Sequence, residues 1–311
     1  MTLLRLGRSR RPPPPPPLDA ADVTKEVRRI DLRSRRLMDS PALGSYESVF
    51  RGHGIEFSEV RAYEPGDPFQ SIDWKVTARM RKPYVKRFVE ERELTVLLAI
   101  DLSASTTFGT RGRLKRRLAS EVAGVLALAA IRSQDRVGLL LFTDRVERYV
   151  RPLRGRNRSM RLLHELLSYQ PVGHRTDIPI ALTTAARLLR VRSLVFVVSD
   201  FVSSDPLAQS LLGLSRRHDV VAVDLKDPFE RTLPPAGLIE VEDAESGERR
   251  IVDLANKKTR DQFAAAGREE DELLDRTFRR CHVDRIRIHT DRPYAPELAA
   301  FFAARARQRR R

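Results

Sequence analysis

The 311 residues are 41% hydrophobic and 32% charged, the balance of a globular chain with apolar material for one large core or two modest ones. A single cysteine, Cys281, excludes an internal disulfide and a cysteine-rich metal site, and fits a reducing compartment. The formal net charge of +16 is high, and much of it falls at the two ends.

Arg5, Arg8, Arg10 and Arg11 lie in residues 1–18 without an acid, and Arg305, Arg307, Arg309, Arg310 and Arg311 close the chain. Such ends attract anionic surfaces. Only 8 of the 58 basic residues are lysine, and no nucleic-acid-binding signature accompanies them. They read as solvated tails, 1–18 and 305–311, open at most to peripheral contact with anionic surfaces; nucleic acid is disfavoured as a partner. The longest apolar run, 122–131, is too short for a membrane span and contains Gly124. The N-terminus offers no apolar core for a signal peptide, so the expected location is cytoplasmic.

In chain order, residues 12–17 are all proline and form extended polyproline II, a stiff spacer. Val23, Val27, Ile30 and Leu37 then recur at helical spacing, predicting an amphipathic N-terminal helix over 19–39. Residues 40–93 read as a small β-rich subdomain. Its strand-like pieces, 48–50, 55–60 and 84–89, are separated by Gly52, Gly54 and the turn Pro65-Gly66-Asp67, and 72–80 is a helical candidate. From residue 94 the pattern alternates. Strands are predicted at 94–100, 136–142, 146–150, 194–198, 220–223 and 283–288, and helices at 114–131, 160–167, 178–189, 206–214, 257–280 and 296–305. A hairpin joins 238–241 to 251–254 through Ser246-Gly247. This alternation predicts an α/β domain over 94–304, with an open, mostly parallel sheet and helices on both faces.

Two apolar strands end in an acid: LTVLLAI runs into Asp101 and LVFVVS into Asp200. Ligands of open α/β sheets gather at the carboxyl ends of the strands, where a carboxylate at the core's edge needs a partner to offset desolvation. Asp144 and Asp224 also follow apolar strands, so position alone nominates four acids. Asp101 is distinguished by its continuation, Asp101-Leu-Ser103-Ala-Ser105, whose alternate side chains offer a carboxylate and two hydroxyls. These are hard oxygen donors suited to Mg²⁺. Taken singly, Ser103 and Ser105 read more often as caps of a following helix than as ligands, and Thr176 or Asp177 as caps of another.

The sequence here resembles the von Willebrand factor A-type fold with its metal-ion-dependent adhesion site. That pattern is D-x-S-x-S after the first strand, a later threonine and a later aspartate. The matching positions are Asp101, Ser103, Ser105, Thr176 in GHRTDI and Asp200 in VVSDF. The resemblance implies one divalent cation, Mg²⁺ or Mn²⁺, coordinated directly by the three hydroxyls and largely through water by the aspartates. A partner's Asp or Glu would complete the shell.

Residues 61–79, RAYEPGDPFQSIDWKVTAR, carry a second resemblance, to the domain-of-unknown-function 58 family, whose members join such a segment to a von Willebrand A-like domain. Arg61, Tyr63, Pro65, Gly66, Asp67, Ile72, Asp73, Trp74, Ala78 and Arg79 match; Pro68 and Gln70 stand where Asp and Arg are common. The resemblance covers about 40–291. It implies work beside a MoxR-type AAA+ ATPase in chaperone-like assembly or metal insertion. Tyr63, Asp73, Trp74 and Arg79 then form a candidate partner surface. The competing reading, favoured for a lone tryptophan, packs Trp74 inside with Asp73 and Arg79 paired beside it.

The sequence contains no G-x-S-x-G, H-E-x-x-H or phosphate-binding G-x-x-x-x-G-K motif. The function expected is a non-enzymatic adaptor that uses the cation to recognise an acidic residue of a protein partner. The alternative is a metal-dependent phosphohydrolase or nuclease using Asp101, Asp177 and Asp200.

Overall fold

A computed structural model describes residues 20–38, 56–89, 94–110, 113–202, 206–242 and 247–308. The expected tail and proline run at 1–18, the strand at 48–50 and the glycines at 52 and 54 lie outside the described residues. The chain divides into two compact units, Met1–Val49 with Thr95–Arg311, and Phe50–Leu94.

In the larger unit a six-stranded sheet has the order β10-β7-β6-β3-β4-β5. Its strands are β3 (Thr95–Asp101), β4 (Arg136–Phe142), β5 (Val146–Leu153), β6 (Leu194–Ser199), β7 (Asp219–Lys226) and β10 (Asp284–His289). All neighbours are parallel except β5, which pairs antiparallel to β4 at the edge. The four central strands are buried almost throughout, which explains why their sequences are continuous apolar runs without alternation.

Helices cover both faces. The unit contains α1 (Ala20–Met38), α3 (Lys115–Arg132), α4 (Arg156–Ser168), α5 (Ile178–Leu188), α6 (Leu207–Ser215), α7 (Lys257–Arg280) and α8 (Ala295–Gln308). On one face Leu97, Ala99, Val195 and Val197 share a cluster with Ile178 and Leu182 of α5, Leu211 and Leu214 of α6 and Phe278 of α7. Cys281, the only cysteine, closes this cluster and donates its thiol to the Ala208 carbonyl at 3.4 Å. Helix α3 packs on β3 and β4, and α1 packs across α3 and α4. Val23, Val27 and Ile30 of α1 are buried, so the predicted amphipathic helix belongs to the larger unit's core. A two-stranded hairpin joins β8 (Leu238–Glu242) and β9 (Arg249–Asp253).

The C-terminus departs from expectation. Residue 305 was read as the start of a solvated tail, but α8 continues to Gln308. Arg305 pairs there with Asp219 and, at 3.2 Å, with Asp284. Two acids of neighbouring strands hold this arginine as a structural counter-charge.

The smaller unit pairs β1 (Glu56–Ala62) antiparallel with β2 (Tyr84–Val89) and carries the short helix α2 (Trp74–Met80). Its Pro-Gly-Asp turn places Gly66 at φ 111°, backbone that side chains with a Cβ rarely adopt. Arg61 clamps Asp67 at the end of this turn with two hydrogen bonds, at 2.7 and 3.0 Å.

Candidate metal centre at the sheet rim

Strands β3 and β6 are adjacent, with Ile100 opposite Val198, so their next residues emerge side by side at the carboxyl rim. Asp101 and Asp200 are both fully buried there. Each oxygen of Asp101 accepts a hydrogen bond: Oδ1 from the Ser103 amide at 2.8 Å and Oδ2 from the Ser199 hydroxyl at 2.6 Å. The Ser103 and Ser105 hydroxyls are 3.0 Å apart, and both residues are completely enclosed.

The cap reading of these serines does not hold. A single 3-10 turn, Ala104–Thr107, follows Ser103, and the Ser103 side chain makes no cap hydrogen bond to it. The later loop divides its labour in the same way. Asp177, rather than Thr176, is the N-cap residue of α5, accepting from the Ile180 amide at 2.9 Å. Thr176 is only 6% exposed.

The loop bearing Thr176 is tied to the rim at three places. The Ala104 amide donates to the His174 carbonyl at 2.9 Å, and the Asp177 amide to the Thr143 carbonyl at 3.0 Å. Glu147, on β5, accepts from the Val172 amide at 3.1 Å and the Gly173 amide at 2.7 Å. A Cβ on Gly173 would lie 2.2 Å from both Thr143 Oγ1 and Asp144 Oδ1, so this approach requires glycine. The five predicted positions thus lie on three segments drawn to one edge of the sheet. His174 contributes through its backbone.

The other two nominated acids are committed elsewhere. Asp144 is paired with Arg145 at 3.0 Å. Asp224 is buried between Arg285 at 2.5 Å and Lys226 at 3.1 Å.

Two residues at the rim escaped sequence reasoning. Lys115, the first residue of α3, is wholly buried and donates to Asp200 Oδ2 at 2.8 Å and to Glu230. Burial alone would lower the lysine's pKa, but the charges of Asp200 and Glu230 outweigh it and raise it. Burial opposes ionisation of Asp200 as well, and Lys115 reverses that, holding the carboxyl below its ordinary value. A signal for Lys115 was present: it precedes Leu118, Ala119 and Val122 by three, four and seven positions, which is the apolar face of α3. No comparable signal marks Glu230, which follows Pro228 in a 3-10 turn.

Asp101 differs from Asp200 in having no cationic side chain paired with it among the described residues. Burial, and then the negative charge of Asp200, push its carboxyl up to about 7. A divalent ion would relieve both effects, and the donor set of two carboxylates and three hydroxyls suits a hard cation. Among the described residues no three His, Cys, Asp or Glu side chains are grouped to hold a metal, so the hydroxyls would be indispensable.

Phe201, directly after Asp200, has φ 54°, a strained conformation for a bulky residue. Its ring packs edge-on against Phe278 at 5.1 Å, fixing the chain where it leaves β6.

The candidate partner surface lies in the smaller unit. Trp74 is 67% exposed, which corrects the expectation that it packs inside. Asp73 caps α2, accepting from the Lys75 and Val76 amides, and this places the tryptophan at the first helical position, facing solvent. Arg79 is exposed and Tyr63 half-buried beside Phe69, with 6.1 Å between their ring centroids. No helix among the described residues is long and apolar enough to cross a membrane.

Among solved structures, the chain is similar to BatB of Bacteroides thetaiotaomicron, at 16% identity and TM-score 0.45 over 69% of this chain and 99% of that one. It is also similar to a von Willebrand factor type A protein of Catenulispora acidiphila, at 14% identity and TM-score 0.41 over 72% and 43%. An uncharacterized protein of Mycobacterium tuberculosis is 30% identical over 292 residues, covering 93% of this chain and 92% of its own. The family model described as "Protein of unknown function DUF58" matches residues 59–273, so the chain belongs to the DUF58 family.

Proposed function

We propose that this protein is a non-enzymatic binding module that holds one Mg²⁺ or Mn²⁺ at the rim and uses it to capture an acidic side chain of a protein partner. Ser103, Ser105 and Thr176 would supply hydroxyl oxygens, and Asp101 and Asp200 the negative charge. The observation that carries this reading is the contrast at the rim: Asp200 has Lys115, whereas Asp101 is buried beside it with no cationic side chain paired to it among the described residues. The ion would supply that missing charge and, with few carboxylates around it, would stay electron-poor enough to attract one more. On the strength of the family resemblance, the partner is a MoxR-type AAA+ ATPase or its substrate. The phosphohydrolase reading is weaker because Asp177, its third carboxylate, already caps α5.

Titration calorimetry with Mn²⁺ and Mg²⁺ tests the ion. The wild type should bind one equivalent and Asp101→Asn none; a wild type that takes up neither ion ends the proposal. Capture of the ATPase should be lost on chelation, and equal capture with and without chelator would make the ion irrelevant to binding. Phosphoester turnover abolished by Asp200→Ala would replace the adaptor by an enzyme.

A further inference from the structure

A second concavity lies at the carboxyl end of β10, with a volume of about 530 Å³, within the range of small-molecule sites. Its lining includes Arg33 from α1, Arg113 from the segment before α3, and Thr290, Arg292 and Tyr294 from the connection between β10 and α8. Three guanidiniums thus line the cavity against a single lining carboxylate, Asp291. Mutually repelling arginines do not converge without a reason, and part of the reason is visible. The Glu121 side chain, 1% exposed, binds Arg29 at 2.8 Å, Arg33 at 3.0 Å and Arg113 at 2.5 Å. Glu26 also lies 3.4 Å from Arg29, whereas Arg33 and Arg113, the two that line the cavity, share Glu121. Arg292 is held separately, by Glu297 at 3.1 Å.

These contacts also fix the arginines in place. Arg113 lies 5.5 Å over the Tyr294 ring. A guanidinium has five N–H donors, so each arginine retains donors beyond the bonds named here. The lining ends at Ala295, the first residue of the 14-residue helix α8, whose amino end adds partial positive charge. Arginines already oriented by an internal acid pay little entropy on receiving an anion, and their forks match a tetrahedral oxyanion.

We propose that this cavity is an anion site for a phosphate-bearing small molecule, bound through Arg33, Arg113 and Arg292. A phosphate fits better than a lone carboxylate because its several oxygens can accept from more than one of these guanidiniums at once. None of these residues belongs to the proposed cation site.

The test is calorimetry on the full chain in 150 mM salt with chelator, titrating pyrophosphate and, in a parallel arm, a nucleoside diphosphate. Pyrophosphate should bind saturably. Arg33→Gln and Arg292→Gln should each weaken it at least about fivefold, as expected for loss of one charge-assisted contact. Arg250→Gln, an exposed arginine of β9, should leave it unchanged. Equal affinity in the two arms assigns free phosphates as the source, and tighter nucleotide binding shows that the rest of the cavity is filled. Absence of saturable binding overturns the proposal, as does equal weakening by Arg250→Gln, which would mean that the chain's overall positive charge is responsible. Arg292 is more than half exposed, so its variant keeps the test valid even if Arg33→Gln disturbs α1.

Discussion

The larger unit buries charge and the smaller one displays aromatic surface. Lys115, Asp200, Glu230, Asp101 and Glu121 lie wholly or almost wholly out of solvent, each in a network of hydrogen bonds. Among the described side chains of the smaller unit those buried are Ile72 and Val85, while Trp74 and Phe69 face outward, 67% and 75% exposed. A large core can hold ions in fixed positions because dense packing on every side prevents their relaxation toward water. A two-stranded hairpin is marginally stable without further packing. Precise polar geometry is therefore expected in the first unit and adaptable contact area in the second.

The largest effect that would break this contrast is at Lys115. Lys115→Met leaves Asp200 and Glu230 buried without their shared cation, and should cost about 3–5 kcal/mol, measured by chemical denaturation. A loss below 1 kcal/mol would mean that the rim is wetter and softer than described.

Acid should act next. Burial alone would raise the pKa of Asp271, but Arg231 and Arg285 hold it down to about 2 from an ordinary 3.8. A carboxyl held down in the folded state stabilises fully above 3.8 and loses that contribution as pH falls through 2. The urea midpoint of the larger unit should therefore decline between pH 4 and pH 2. Substituting Asp271→Asn should flatten that decline.

Asp73→Ala removes the cap of α2 and should cost the smaller unit about 1 kcal/mol, leaving the larger unit's midpoint unchanged. The fluorescence of Trp74, the chain's only tryptophan, reports this unit. Smallest is Trp74→Ala, expected to alter stability by no more than about 0.5 kcal/mol because the side chain packs so little. If the exposed face is a partner surface, the same variant should still weaken capture of the ATPase. Unchanged capture would leave the tryptophan without that role.

Where physics left one choice, the sequence was readable. A short apolar run rich in β-branched residues, such as LVFVVS, is consistent with a strand buried on both faces, and β6 is Leu194–Ser199. The helix expected at about 257–280 is α7, Lys257–Arg280. Alternation placed Asp101 and Asp200 at the carboxyl ends of β3 and β6, whereas Thr176, in the loop between α4 and α5, was legible only through the family resemblance. Harder to read were side chains whose partners are distant in sequence. Glu147 holds the Thr176 loop across 26 positions, from an edge strand with no motif of its own. Glu230 reaches Lys115 across 115. Trp74 was misjudged because burial statistics for tryptophan assume a core, and the smaller unit has little.

Cys281 turns this architecture into an instrument. Its thiol is enclosed at the seam of α6 and α7, and burial raises its pKa, which suppresses the reactive thiolate. A thiol reagent will therefore label the native protein only as fast as the seam opens. With one cysteine in the larger unit and one tryptophan in the smaller, the unmodified chain carries a separate reporter for each. Labelling kinetics and fluorescence, followed together in urea, would show whether the two units come apart in one step or two.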